Sequence, residues 1–281
     1  MAKNKPDFFS AEIISVHREG GDYYIAEIGV KERLAGALPG QFVMVGTKCD
    51  VQTSRLLHPF SIYNIENRRG GNRLSIFFAV RGSFTRELAG SRPGDKVMIN
   101  GALGRGFFER DSYERSLRNL KKNSTRYIMV GGGYGVAPFY FFSRFVLNAG
   151  AQASRLALFY GARSKSDLIL APKFKKLGIE LFLATEDGSA GEKGFVTSPL
   201  ERFLKEDAGD RISLLGCGPT GLLESIGRLA NERAIPCWLS YEAFFACGTG
   251  LCKGCAVADK NENYRLACCE GPVFDSREMT V

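Results

Sequence analysis

The sequence predicts a multi-domain protein: an N-terminal antiparallel β-barrel, an α/β domain with a parallel sheet, and a small C-terminal domain organised by cysteines. Three observations carry this prediction. Short β-branched and aromatic segments dominate residues 1–106, strand and helix patterns alternate over residues 126–236, and clustered cysteines lie within residues 237–281. Residues 107–125 are highly charged, contain neither Gly nor Pro, and are interpreted as a linker.

The composition, with 44% hydrophobic and 24% charged residues, is typical of a soluble globular protein. No apolar run approaches the ~18 residues of a membrane-spanning helix, and the first residues lack the apolar core of a signal peptide. We therefore expect a cytoplasmic protein without a membrane span. The net charge of +8 is scattered along the chain, which indicates a solvated surface and no nucleic-acid partner.

The barrel prediction depends on short segments separated by turn residues. The segments that favour strands are Phe8–Val16, Tyr23–Ile28, Gln41–Val45, Phe60–Tyr63 and Leu74–Val80. The turn signals between them are Gly20-Gly21, Pro39-Gly40, Gly70-Gly71 and Pro93-Gly94-Asp95. Short strands with regular turn signals are typical of small antiparallel barrels.

One barrel segment carries candidate ligand-binding residues. An aromatic ring next to a hydroxyl suits a flavin, because the ring offers a stacking face and the hydroxyl can hydrogen-bond flavin N5. The same pair also fits an ordinary strand with an inward Phe and an outward Ser. The candidates are His58, Pro59, Phe60, Ser61 and Ile62.

Two loops of this domain have the chemistry of a pyrophosphate site. Residues 81–85 and 101–107 offer backbone N–H groups, and Thr85 adds a hydroxyl. Taken alone, each is only a Gly-bearing loop. The candidates are Thr85, Gly101, Gly104 and Gly106.

The α/β domain contains a Gly-rich turn between a strand and a helix. The apolar run Tyr127–Val130 leads into Gly131–Pro138, and a helical pattern follows. Such a turn lets a dinucleotide approach the backbone, and the helix N-terminus favours phosphate charge. Because the turn is not the G-x-G-x-x-G fingerprint, tight packing explains it equally well. The candidates are Gly132, Gly133 and Gly135.

A cysteine follows another strand of this domain. The apolar segment 212–215 runs into Cys217-Gly218-Pro219, and a helical pattern continues behind it. Ligands of open α/β sheets bind at the carboxyl ends of the strands. Cys217 is therefore a candidate for contact with a nicotinamide, although a buried cysteine before a helix fits the same pattern.

Four cysteines near the C-terminus are the most specific signal. Cys247, Cys252, Cys255 and Cys268 follow the spacing C-x4-C-x2-C-x12-C, which is the plant-type pattern of a [2Fe–2S] cluster. The competing interpretation is zinc, but structural zinc sites usually use paired cysteine knuckles. Spacing alone leaves the fourth ligand open between Cys268 and Cys269.

Together these sites predict an electron carrier. A nicotinamide delivers a hydride, which carries two electrons, whereas a [2Fe–2S] cluster accepts one electron at a time. A flavin can mediate between the two. The chain order is then a flavin barrel, a nicotinamide domain and a one-electron exit.

These motifs resemble those of the ferredoxin reductase-like flavoproteins, and within them the electron-transfer subunits of dihydroorotate dehydrogenase B. The resemblance spans nearly the whole chain. It lies in the segments HPFSI, PGDKVMINGALGRGF, YIMVGGGYGVAP, ATEDGSAGEKGFVT and CGTGLCKGCAV…ACCEGPVF. In this family, the spacing before GPVF selects Cys268 as the fourth cluster ligand.

The resemblance implies a subunit that holds FAD and a [2Fe–2S] cluster and exchanges electrons with NAD(H). Its partner would be an FMN-containing dihydroorotate dehydrogenase catalytic subunit of pyrimidine biosynthesis, usually in an α2β2 heterotetramer. Phe60 and Ser61 would flank the isoalloxazine, while Thr85 and the loop 101–106 would hold the FAD phosphates and adenosine. The glycines of the 131–138 turn and Cys217 would line the nicotinamide site, with Ser61 and Cys217 as the candidate catalytic residues.

Two residues depart from the family signature: His58 replaces an Arg and Phe84 replaces a Gly. Because His has a reference pKa of about 6.5 and is mostly neutral at pH 7, pyrophosphate neutralisation is assigned to Arg55 or Arg81. Arg163, near the expected adenosine ribose, can bind the 2′-phosphate of NADP(H). Similar segments in the family also occur with NADH, so NAD(H) is favoured.

An alternative keeps the cofactors and changes the partner. The chain would then be the FAD/[2Fe–2S] subunit of an NADH-dependent ferredoxin:NADP oxidoreductase or sulfide dehydrogenase, beside a large iron–sulfur flavoprotein. A third interpretation, of another class, is a non-catalytic zinc-bearing assembly protein on the same fold. Local motifs do not separate the first two, and an absorbance spectrum separates both from the third.

Overall fold

The computed structural model describes residues 7–31, 33–47, 56–68, 70–108, 125–206 and 211–280. Arg55 and most of the predicted linker 107–125 lie outside these residues. Among the described helices, none combines the length and the apolar character needed to cross a lipid bilayer.

Six antiparallel strands close into the predicted barrel, in the order β1-β2-β5-β4-β3-β6. They are β1 (Phe8–Gly20), β2 (Tyr23–Lys31), β3 (Phe42–Thr47), β4 (His58–Arg68), β5 (Gly71–Ala79) and β6 (Lys96–Leu103). Helix α1 (Ser83–Ala89) follows β5 and buries Phe84 and Leu88 in the barrel core.

Barrel strands near the second domain are apolar on both faces. On β2, Ile28 lies in the barrel core, whereas Ile25 belongs to the hydrophobic cluster shared with the α/β domain. Ile76 and Phe77 on β5 divide in the same way. Because successive side chains of a strand point to opposite faces, one apolar segment builds the barrel interior and the domain interface together.

The second domain is built on parallel strands, as predicted. They are β7 (Thr125–Gly132), β8 (Leu156–Ala162), β9 (Glu180–Thr185), β10 (Glu192–Lys193), β11 (Arg211–Cys217) and β12 (Cys237–Ser240). In space the order is β10-β9-β8-β7-β11-β12. The chain therefore moves in one direction from β7 to β10 and then crosses to the other side of β7.

Helices cover both faces of this sheet. They are α2 (Ala137–Asn148), α3 (Ala171–Lys176), α4 (Thr197–Glu206) and α5 (Thr220–Glu232). Met129 of β7 belongs to the cluster beneath α2 and α3, which also contains barrel residues. Its neighbours Ile128 and Val130 belong to the cluster beneath α4 and α5. The result is the expected three-layer α/β arrangement.

The C-terminal segment is continuous with the parallel sheet. Strands β13 (Ala256–Ala258) and β14 (Tyr264–Leu266) form a hairpin, and β15 (Val273–Asp275) pairs antiparallel with β12. Since β12 pairs parallel with β11, the sheet includes residues 237–240, which the sequence pattern assigns to the cluster domain. A strand of 4 residues is too short for its periodicity to reveal it.

A separate apolar cluster joins the barrel to the C-terminal segment. Phe42, Met44 and Leu103 of the barrel pack there with the buried Cys255 and Cys268. The loop of residues 247–255, which we call the cysteine loop, is thereby held directly on the barrel wall.

Candidate functional site

A cavity of about 320 Å³ lies where the barrel, the α/β domain and the C-terminal segment meet. We call it the barrel cavity. Its lining includes Pro59, Phe60, Ser61, Arg81 and Thr85 from the barrel, Tyr134, Gly135 and Cys217 from the α/β domain, and Glu242, Ala243 and Phe245 from the C-terminal segment. Each of the three units therefore contributes one side of the wall.

Strand β4 turns successive side chains to opposite sides of the barrel wall. Ser61 borders the barrel cavity, while Ile62 lies in the barrel core. Phe60 also borders the cavity, but its ring packs against Phe78 and Phe84, with ring centroids 5.9 and 6.1 Å away. The predicted stacking of Phe60 on a flavin thus competes with contacts inside the barrel.

The two departures from the family signature contact each other. The rings of His58 and Phe84 stack, with centroids 4.0 Å apart and an interplanar angle of 20°. Burial lowers the pKa of His58, so the imidazole is neutral near pH 7 and supplies no positive charge. Arg81 borders the cavity and is one of the two cations considered for the pyrophosphate; Arg55, the other, lies outside the described residues.

Thr85 closes the first turn of α1. Its hydroxyl oxygen accepts hydrogen bonds from the N–H groups of Arg81 and Gly82, at 2.8 and 3.1 Å. A helix start leaves backbone donors without partners, and a hydroxyl commonly satisfies them. Because Thr85 also borders the barrel cavity, it fixes the loop on which phosphate contacts are predicted.

The glycines of the second predicted phosphate loop are crowded by protein. Gly104 has φ +73°, and a Cβ there would lie 2.5 Å from the carbonyl oxygen of Gly271. A Cβ on Gly106 would lie 2.3 Å from the carbonyl oxygen of Pro39, and strand β3 crowds Gly101 similarly. Among the described residues bordering the barrel cavity, none of these three is found. Close packing explains why they are glycines, and their phosphate role stays a prediction.

A second cavity, of about 820 Å³, lies at the carboxyl ends of β7, β8 and β11. We call it the sheet cavity. The chain leaves β7 for β8 on one side and, after β10, returns to β11 on the other side, and ligands of open α/β sheets bind at such reversal points. The location is therefore the one that dinucleotides favour in this architecture.

The predicted Gly-rich turn borders the sheet cavity with two of its glycines, Gly132 and Gly133. Gly133 has φ +55°, and no atom lies within 4 Å of a Cβ added there, so its backbone faces open space. Gly135 has a different reason to be glycine, because a Cβ would lie 2.7 Å from the carbonyl oxygen of Cys217. The turn thus joins two strand ends closely and leaves one backbone segment open to a ligand.

Cys217 ends β11 at the barrel cavity. Burial raises the pKa of its thiol to about 12, and the charge of Glu242 adds to the shift. Since the thiolate is the reactive form of cysteine, the neutral Cys217 is suited to van der Waals contact with a ring and not to nucleophilic attack.

Glu242 is a site residue that the sequence motifs do not reveal. It follows β12 and borders both cavities. Burial raises the pKa of its carboxyl group, so it retains a proton at higher pH than an ordinary Glu. The only sequence signal is its place after a strand of 4 residues, and no motif marks that strand.

The cysteine loop lies against barrel residues that border the barrel cavity. A Cβ on Gly248 would lie 2.8 Å from Met44 Cγ, so the loop touches β3. The rings of Phe42 and Phe245, which both border the cavity, have centroids 4.8 Å apart. These two rings form part of the wall between the cavity and the loop.

Backbone N–H groups of the loop point at two of the predicted ligand sulfurs. The N–H groups of Thr249 and Cys252 donate to Cys247 Sγ at 3.4 and 3.5 Å. The N–H of Gly250 donates to Cys268 Sγ at 3.1 Å, which joins the fourth predicted ligand to the loop of the other three. Hydrogen bonds to sulfur are a feature of iron–sulfur sites and tune their potentials.

One of the predicted ligand thiols, Cys247, is more acidic than an ordinary cysteine. Burial alone would raise the pKa of Cys247, but hydrogen bonds from Thr249 and Cys252 lower it to about 6. Burial and contacts with Cys255 and Cys269 raise the pKa of Cys268, and metal coordination deprotonates such a thiol. Among the described residues, no three His, Cys, Asp or Glu side chains lie close enough together to bind a single metal ion. A [2Fe–2S] cluster does not need such a group, because its four thiolates are divided between two irons. The donor set fits that cluster.

Cys217 and Cys237 are expected to resist alkylation while Cys247 reacts. Burial raises the pKa of both buried thiols to about 12, and only thiolates react, so at about pH 8 fewer than one in roughly a thousand is ionised. Iodoacetamide treatment of cluster-free protein followed by peptide mass spectrometry measures this. Modification of Cys217 as fast as Cys247 would contradict the burial of Cys217.

Family models match all three parts of the chain. Residues 10–108 match the oxidoreductase FAD-binding domain and residues 129–227 match the oxidoreductase NAD-binding domain. Residues 242–280 match the iron–sulfur cluster binding domain of dihydroorotate dehydrogenase B. The predicted oxidoreductase with FAD, NAD(H) and an iron–sulfur cluster is thereby confirmed.

Relatives match over most of the chain. The dihydroorotate dehydrogenase B (NAD(+)) electron transfer subunit of Caldanaerobacter subterraneus is 33% identical over 244 residues, which covers 86% of each chain. The subunit of the same name from Desulforamulus reducens is 31% identical over 275 residues, covering 96% of this chain and 97% of the relative.

Solved structures share the architecture. A structure of an NADH-dependent reduced ferredoxin-NADP oxidoreductase aligns with a TM-score of 0.78 at 25% identity, covering 96% of this chain and 89% of that chain. A ferredoxin NADP+ reductase from Neisseria gonorrhoeae, with bound FAD and NADP, aligns with a TM-score of 0.61 at 16% identity, covering 80% and 91%. The latter likeness is one of fold alone.

Proposed function

The chain belongs to the family of dihydroorotate dehydrogenase B electron transfer subunits, and we propose that it passes electrons between NAD(H), FAD, a [2Fe–2S] cluster and the FMN of a dihydroorotate dehydrogenase catalytic subunit. The observation that carries the proposal is that the two cavities and the cysteine loop lie next to one another. The sheet cavity meets the barrel cavity, and the barrel cavity shares the Phe42–Phe245 wall with the cysteine loop.

The residues of this chain divide the work between them. Ser61 would contact the flavin in the barrel cavity, Cys217 would lie against the nicotinamide ring where that ring meets the flavin, and Arg81 would supply positive charge there. The turn at Gly133 admits the dinucleotide backbone in the sheet cavity. The ligand set of Cys247, Cys252, Cys255 and Cys268 would hold the cluster. FAD, when bound, converts hydride transfer into single-electron steps.

A second candidate keeps this relay and changes the partner. The chain would serve an NADH-dependent ferredoxin:NADP oxidoreductase or sulfide dehydrogenase beside a large iron–sulfur flavoprotein. The observation that favours it is the structural likeness to the NADH-dependent reduced ferredoxin-NADP oxidoreductase over nearly the whole chain.

Purification of the chain with its native partner tests the proposal. We expect flavin and cluster absorbance that NADH bleaches, an FMN-containing partner, and NAD+ reduction coupled to dihydroorotate oxidation. A partner with several [4Fe–4S] clusters and no orotate coupling would select the second candidate. A colourless zinc protein would exclude both.

Exposed apolar side chains beside the cysteine loop are expected to contact the partner. Phe244 is 91% and Leu251 85% exposed, and Leu251 precedes the exposed Cys252. Fully burying a leucine side chain contributes about 2 kcal/mol, so Leu251→Glu should weaken partner binding by about 30-fold. Titration calorimetry with the purified partner measures this.

The control for Leu251→Glu is Phe8→Glu, because Phe8 is 58% exposed on β1, outside the C-terminal segment. Reduction of an artificial dye by NADH should stay unchanged in both variants. Equal loss of partner binding in both, or none in Leu251→Glu, would place the docking surface elsewhere.

A further inference from the structure

The two cavities meet at three side chains, each from a different part of the chain. Arg81 of the barrel, Tyr134 of the α/β domain and Glu242 of the C-terminal segment border both cavities. We call this place the junction. Reacting atoms must approach within about 3–3.5 Å for hydride transfer, so a nicotinamide in the sheet cavity has to enter the junction to reach a flavin in the barrel cavity.

Tyr134 brings an aromatic ring to the junction without fixed contacts. Tyr134 is 47% exposed, and its side chain takes part in none of the ring contacts or side-chain hydrogen bonds found among the described residues. It lies between Gly133 and Gly135, and the Gly133 backbone has open space beside it. Neither chain neighbour has a side chain that would hold the ring in place.

The surroundings of the junction raise the pKa of the Tyr134 hydroxyl. The negative charge of Glu242 is the main cause that raises its pKa, burial adds to the shift, and Arg81 opposes it. The group at the junction is therefore a neutral planar ring, close in size to a nicotinamide ring and equally suited to lie against a flavin.

We propose that the Tyr134 ring occupies the place of the nicotinamide ring at the junction and turns aside when NAD(H) docks. The proposal rests on the proposed function, since it requires nicotinamide and flavin in these two cavities. The adenosine and phosphates bind in the sheet cavity independently of Tyr134, whereas the nicotinamide competes with the phenol. While the phenol occupies the junction, the nicotinamide cannot enter. The apparent affinity for the dinucleotide is therefore the intrinsic affinity multiplied by the fraction of molecules in which the junction is open.

Binding of NAD+ and ADP-ribose to the FAD- and cluster-loaded protein tests this proposal, because ADP-ribose lacks the nicotinamide ring. If about one tenth of the molecules are open, Tyr134→Ala should bind NAD+ about tenfold more tightly. Its affinity for ADP-ribose should stay unchanged. The long-wavelength charge-transfer absorbance between nicotinamide and flavin should increase. Tyr134→Phe, which keeps the ring, should behave as the wild type.

Weaker NAD+ binding by Tyr134→Ala would overturn the proposal, because the ring would then support the nicotinamide. An unchanged ratio of NAD+ to ADP-ribose affinity would overturn it as well. Tyr134→Ser repeats the truncation, and loss of FAD in both truncations would contradict the absence of fixed contacts. If NADH fails to reduce the wild-type flavin, the proposed function itself fails, and the two failures are thereby distinguished.

Discussion

Replacement of Cys252 by Ser should remove the cluster absorbance and reduce partner-linked turnover to near zero, while FAD content and NADH–dye activity persist. Cys252 is exposed, so the substitution removes a soft thiolate ligand without disturbing a buried core. The dye takes electrons from the flavin, upstream of the cluster. Visible absorbance, FAD content and the two turnover assays on one preparation measure the outcome.

The neighbouring cysteines provide the matched control. Cys269 is exposed, and its Sγ lies 3.5 Å from Cys268 Sγ, yet only Cys268 Sγ accepts the loop N–H of Gly250. Cys269→Ser should therefore keep the cluster and Cys268→Ser should lose it. The reverse result would make Cys269 the fourth ligand. Undiminished partner-linked turnover in Cys252→Ser would remove the cluster from the electron path.

Gly104→Ala should lower the midpoint of thermal unfolding by on the order of 10 °C. Gly104 has φ +73°, a conformation that costs an L-residue roughly 1–2 kcal/mol. The new methyl group would also lie 2.5 Å from the Gly271 carbonyl oxygen and 2.7 Å from Pro272 Cδ. Such overpacking adds about 1–3 kcal/mol. Circular dichroism melting measures the shift.

Gly94→Ala separates backbone strain from crowding. Gly94 has φ +91°, but no atom lies within 4 Å of an added Cβ, so only the cost of about 1–2 kcal/mol applies. Its melting shift should be clearly smaller than that of Gly104→Ala. The Arg105 N–H donates to the Gly271 carbonyl and so joins the barrel to the C-terminal segment that carries the cysteines. Gly104→Ala should disturb this contact and therefore also lower electron transfer to the partner. Equal shifts in the two variants would show that the contact with Gly271 and Pro272 yields easily.

The architecture and the cofactors were predictable because their signals are local. Turn residues between short segments indicate the barrel, and the alternation of strands and helices after residue 126 indicates the parallel sheet. The spacing of Cys247, Cys252 and Cys255 reflects the reach of one loop around a cluster. The family models and relatives confirm these predictions. The individual site residues and the domain boundaries stay predictions.

The contacts between units were not predictable from their own segments. In the sequence, His58 and Phe84 are two separate departures from a signature. In the structure their rings stack, with centroids 4.0 Å apart. The sequence predicts that Gly104 belongs to a phosphate loop. In the structure it packs against the Gly271 carbonyl, from the far end of the chain. Glu242 has no motif, because its place at the junction depends on β12 joining the sheet.

By itself, the sequence determined the fold class, the cofactor classes and the cysteine set that suits a cluster, because strand alternation, turn geometry and ligand spacing act over a few residues. Only the tertiary structure decided how the two cavities and the cysteine loop adjoin. Arg81, Tyr134 and Glu242 come from three distant segments and meet between the two cavities. Such a meeting depends on how the barrel, the sheet and the C-terminal segment pack together, and no short stretch of the chain encodes that packing.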